Sequence, residues 1–91
     1  MRPFANLEIA KKAIKDIASG RDEPHFITYR RYGRQDDIEY YVVPRHELPG
    51  YDMQDPKACE DGQHVLYRYS GGKLKQINDV QPLLSEKILE A

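Results

Sequence analysis

Apolar residues at positions 7, 10, 14, 17 and 18 recur at helical spacing, with Glu8, Lys11, Lys12, Lys15 and Asp16 on the other side. Asn6 precedes the stripe and suits an N-cap, because its side chain can accept from a free first-turn N–H. Gly20 follows it as a left-handed stop, and Pro24 closes the segment. The pattern predicts an N-terminal helix, with Glu8–Lys12 and Lys12–Asp16 as supporting i,i+4 pairs.

The period then changes. Residues 25–32 (HFITYRRY) and 38–43 (IEYYVV) are rich in β-branched and aromatic residues and read as two strands joined by the turn residues 33–37. Residues 64–69 (HVLYRY) resume the strand pattern, and Ser70-Gly71-Gly72-Lys73 is a two-residue hairpin signal, since primed turns need positive φ at both centres. That turn predicts Tyr69 opposite Leu74, Arg68 opposite Lys75 and Leu66 opposite Ile77. Between the hairpins runs a long segment, 44–62, holding Pro44, Pro49, Pro56 and many acids. Asp79 suits a cap for a short C-terminal helix with an apolar side of Val80, Leu83, Leu84, Ile88 and Leu89. The fold class is α+β: one small domain over residues 1–91. Its expected elements are an N-terminal helix, a four-stranded antiparallel meander (two hairpins joined by a long acidic loop) and a short C-terminal helix.

Composition narrows the class. Ninety-one residues fit one domain with a thin core, so a homodimer sharing core surface is compatible with the size. A single cysteine, Cys59, rules out an intrachain disulfide framework and suits a reducing compartment. The N-terminus has no apolar signal-peptide core and no run approaches a membrane span, so the expectation is a cytoplasmic protein without a membrane partner.

Net charge is only -1, but it is unevenly placed. Residues 1–34 carry eight basic and four acidic side chains; residues 35–62 carry two and eight; residues 63–78 carry three and none. The sheet-forming stretches are therefore basic and the joining loop acidic, which bears on partners rather than on fold.

Four constellations follow. If Ile27, Tyr29, Ile38, Tyr40 and Val42 point inward with Val65, Tyr67, Tyr69 and Leu74, then Arg30, Tyr32, Tyr41, Arg68, Lys73 and Lys75 point outward as one basic, aromatic patch. Such a patch suits an acidic protein surface, because Tyr and Arg are enriched at binding hot spots. It also suits phosphates and stacked bases, although the near-neutral charge and the lack of RNA-module motifs count against nucleic acid. The bland alternative is a solvated face whose cations pair with Asp36, Asp37 and Glu39. Second, His46, Glu47, Asp52, Asp55, Cys59, Glu60, Asp61 and His64 are metal-capable types, but their spacing matches no metal site and Asp52–Pro56 lacks the order of a calcium loop. Third, Cys59 with His25, His46 or His64 would be a nucleophile pair, but Glu60 and Asp61 beside it favour the thiol over the thiolate. Fourth, Leu48-Pro49-Gly50-Tyr51 with Met53 is an apolar cluster expected to fold back on the core.

The leading expectation is a small non-enzymatic protein-binding module, of an accessory or inhibitor type. It would use the Arg30, Tyr32, Tyr41, Arg68, Lys73 and Lys75 face, with no cofactor, metal or catalytic residue. The alternatives are a nucleic-acid binder using the same face and an enzyme using the 44–64 loop.

Overall fold

The computed structural model describes residues 3–32, 37–48 and 64–80. Helix α1 spans Leu7–Ile17, and Asn6 caps it as expected: its Oδ1 accepts from Glu8 N at 2.7 Å. The helix ends where Ala18 N donates to Ile14 O (2.9 Å), and Gly20 turns the chain away at φ 74°. Strand β1 is His25–Tyr32, β2 is Asp37–Pro44, β3 is Val65–Ser70 and β4 is Lys73–Gln76. A 3-10 turn, Arg45–Glu47, follows β2.

All pairings are antiparallel, but the strand order is β2-β1-β3-β4, so the sheet is not the expected meander. The second hairpin docks on the free edge of β1 rather than on β2. Two features explain this. β1 carries adjacent large apolar residues, Phe26 and Ile27, which strand alternation sends to opposite faces, so it needs cover on both and suits the centre. The outer edge of β2 is occupied by the chain itself, since Phe4 N donates to Tyr40 O (2.7 Å) and Tyr40 N to Phe4 O (2.8 Å). The segment expected to form the C-terminal helix lies, from position 81 on, outside the described residues. Before it, Asp79 accepts a side-chain hydrogen bond from Gln76 Nε2.

The Gly71-Gly72 turn has φ values of 58° and 78°, and it sets Tyr69 opposite Leu74 and Arg68 opposite Lys75 as expected. Ile77 N donates to Leu66 O at 2.7 Å and extends that register. Between β1 and β3 the register slips: Ile27 faces Tyr67, but Thr28 faces Val65, leaving Leu66 as the extra residue of a bulge.

The sheet has two apolar faces. Under α1, Ala10 and Ile14 pack on Ile27 and Val42, ringed by Phe4, Leu7, Tyr40, Tyr67, Tyr69 and Leu74. Of the positions expected inward, Ile27, Tyr40, Val42, Tyr67, Tyr69 and Leu74 join this group, whereas Tyr29 and Ile38 are half-buried outside it; two further corrections apply. Ile17, expected on the buried stripe, is 40% exposed, as Ile9 is at 55%. Val65 belongs to the other face, because the bulge at Leu66 reverses the alternation below it. On that second face Phe26, Val65 and Leu48 are buried together against Val43 and Ile77. Leu48 thus folds back onto the sheet; Pro49 to Met53 lie outside the described residues. The expected helix pairs also differ. Lys11, not Lys12, is engaged: its Nζ lies 3.4 Å from Glu8 Oε1 and 4.6 Å from the centre of the Tyr67 ring, tying the helix to β3.

Candidate binding face

The face away from α1 is built by strand alternation. Positions 26, 28, 30 and 32 of β1 share it with 39, 41 and 43 of β2, through the register Phe26–Val43, Thr28–Tyr41 and Arg30–Glu39. Arg68 faces Phe26 on one side and Lys75 on the other, and Ser70 faces Lys73. All six positions expected in the patch therefore fall on one side of the sheet, with Tyr32 at the end of β1 opposite Asp37.

They do not form one continuous patch. Arg30 lies four residues along β1 from Phe26, about 13 Å at the usual rise of a strand. Phe26, Val65 and Leu48 form a buried apolar group between the two ends. At one end the charges are mixed: Arg30 is exposed beside Glu39, and the half-buried Tyr41 donates its hydroxyl to Glu39 Oε2 at 2.8 Å. At the other end Lys73 and Lys75 are exposed and Arg68 is half-buried. Among the described residues none of these three has an ion pair, and Arg68 Nε is shielded from solvent with no hydrogen-bond partner. A buried donor left unpaired costs about 1–3 kcal/mol, and like charges directly opposite across a ladder are destabilising. The hairpin thus carries a basic cluster that folding alone does not favour.

The histidines are separated in role. His25 is buried and its Nδ1 donates to Glu23 O at 3.1 Å. His64 is exposed at the start of β3, and its carbonyl accepts from Tyr29 N. His46 Nδ1 donates to Glu23 Oε1 at 2.6 Å and its backbone N to Glu23 Oε2 at 3.3 Å, while Arg45 N donates to Pro24 O at 3.0 Å. These bonds clasp the segment after β2 to the segment before β1. The sequence reading missed Glu23, which stands 23 residues from His46 with no local pattern linking them. Cys59, Asp52, Asp55, Glu60 and Asp61 lie outside the described residues, and no group of three or more metal-capable side chains occurs among the described ones.

Partial burial acts to raise the Glu23 carboxyl, but the side-chain and backbone hydrogen bonds from His46 outweigh it and hold the group below its usual value of 4.5. A carboxyl depressed by folding adds stability above its unfolded pKa and loses it as pH falls through the folded value. Glu23→Gln is therefore expected to flatten the fall in urea midpoint below about pH 4.5. The check is a pair of denaturation series, wild type and variant, from about pH 6 to about pH 3.

A half-open cleft of about 300 Å³ lies between the loop after α1 and the Gly71-Gly72 turn, lined by Lys15, Arg21, Asp22, Glu23 and Tyr69 among others. Its lining mixes basic and acidic side chains with the hydroxyls of Ser19 and Ser70. Among the described residues no helix is long and apolar enough to cross a membrane. No protein-family model, characterised protein or solved structure matches the chain.

Proposed function

We propose that this protein is a small protein-binding module that engages an acidic surface of its partner through the sheet face opposite α1. Arg68, Lys73 and Lys75 supply the charge, and Arg30, Tyr32 and Tyr41 extend the contact along the same face. The observation that carries this reading is the basic cluster itself: three cations on one hairpin, two of them directly opposite, with no ion pair among the described residues. A cluster that weakens the free protein is accounted for if a partner neutralises it. The reading needs no catalytic group, cofactor or metal. The near-neutral net charge of the chain, -1, disfavours nucleic acid, whose binding domains are typically basic.

The test is a pull-down from native lysate with wild type and an Arg68→Glu/Lys75→Glu variant, each with and without nuclease. The expected result is a protein captured by wild type, insensitive to nuclease and lost with the variant. Equal capture by both proteins overturns the reading; capture abolished by nuclease moves it to nucleic acid.

A further inference from the structure

The two edges of the sheet are treated differently. The β2 edge is covered by the chain's own Phe4, bonded both ways to Tyr40. The β4 edge has no such cover among the described residues. In a two-residue hairpin the residues flanking the turn bond to each other, so Lys73, Lys75 and Ile77 direct their backbone groups to β3; the Ile77 N to Leu66 O bond of 2.7 Å agrees with this parity. The N–H and C=O groups of Leu74 and Gln76 therefore point away from the sheet, as an unpaired template for another strand.

Lysines on an edge strand commonly serve to block such pairing. Here the charge has a direction. Lys73 and Lys75 occupy alternate positions on one face, continued on the inner strand by Arg68. Arg68 is not an edge residue, and guarding the edge does not require it. A second copy paired β4 to β4 would set lysines against lysines, so the cluster selects against self-association. It favours a strand bearing acids at alternate positions, which would stand beside Lys73 and Lys75 while its backbone met Leu74 and Gln76.

We infer that the β4 edge takes an extended acidic segment of a protein partner as a fifth strand, with the backbone of Leu74 and Gln76 giving the pairing and Lys73, Lys75 and Arg68 reading the charge. This rests on the protein-binding reading above and names the form of the partner.

The test titrates the full chain with a short blocked peptide alternating glutamate and valine, followed by amide NMR. The comparisons are a Gln76→Pro variant, a Lys73→Glu/Lys75→Glu variant, and the same peptide N-methylated on alternate amides. Proline at position 76 removes an outward N–H and no bond to β3, so the ladder between β3 and β4 keeps its hydrogen bonds. The inference predicts saturable binding that shifts and protects the Leu74 and Gln76 amides. Both Gln76→Pro and N-methylation should weaken it by at least about tenfold, since each removes pairing hydrogen bonds while keeping the charge. The N-methylated peptide keeps the test valid should the proline variant unfold. Absence of binding to wild type overturns the inference. Binding unaffected by Gln76→Pro and by N-methylation but lost in the Lys73→Glu/Lys75→Glu variant also overturns it, and leaves the charged face standing. Binding unaffected by every change removes both readings. Edge protection that grows with protein concentration in the absence of peptide would identify a second copy as the occupant, contrary to the inference.

Discussion

Phe26→Ala is expected to lower the free energy of unfolding by about 3–5 kcal/mol, the usual cost of removing a fully buried phenylalanine. Phe26 has no exposed surface and holds the second core, between Val65 on β3 and Leu48 from the turn after β2. Truncation leaves a void that these two residues can close only by moving the strand and the turn toward each other. Total stability for a chain of this length is on the order of 5–15 kcal/mol, so the variant should sit near its unfolding threshold at room temperature. Urea denaturation followed by far-UV dichroism measures the loss. A change under about 1 kcal/mol would mean that the face opposite α1 carries no core, and that Leu48 does not close over it.

Ile14→Ala should cost about 2–5 kcal/mol by the same measurement. Ile14 is the fully buried anchor of α1 and meets Ile27 and Val42 with Ala10 beside it. The helix has few such anchors, because Ala10 is small and Ile17 is 40% exposed. Ile9→Ala is the internal control: that side chain is 55% exposed, and its removal should change stability by no more than about 0.5 kcal/mol. Equal costs at positions 9 and 14 would mean that the helix is rotated relative to the packing described.

The features legible in the sequence are the local ones. Asn6 and Gly20 bound the helix, and Gly71-Gly72 sets the register of the second hairpin, because each acts through its own backbone conformation. The alternation of 25–32 and 38–43 sorts Ile27, Tyr40 and Val42 from Arg30 and Tyr41 for the same reason. What depends on distant partners was not legible. No residue in β1 announces that its second neighbour is β3 rather than the solvent, so the strand order was misread. The bulge at Leu66 exists only against that neighbour, and it carries Val65 to the face expected to be solvated. The expected single patch is divided by Phe26, Val65 and Leu48, three residues from three separate segments. The Glu23–His46 clasp joins two loops that the sequence leaves unrelated. The basic cluster was legible because Arg68, Lys73 and Lys75 lie within one hairpin whose turn fixes their face.

On the proposed function, this cluster is kept for a partner at some cost to the free protein. Lys75→Glu tests it directly, because Lys75 is exposed and faces Arg68 across the ladder. The substitution turns a like-charge pair into an opposite-charge one, and such pairs differ by roughly 0.5–1 kcal/mol. The decisive measurement is the urea midpoint of Lys75→Glu against wild type at low salt. A higher midpoint is expected, with the gain shrinking as salt is added; a midpoint equal to or below that of wild type would mean that the cluster costs the free protein nothing.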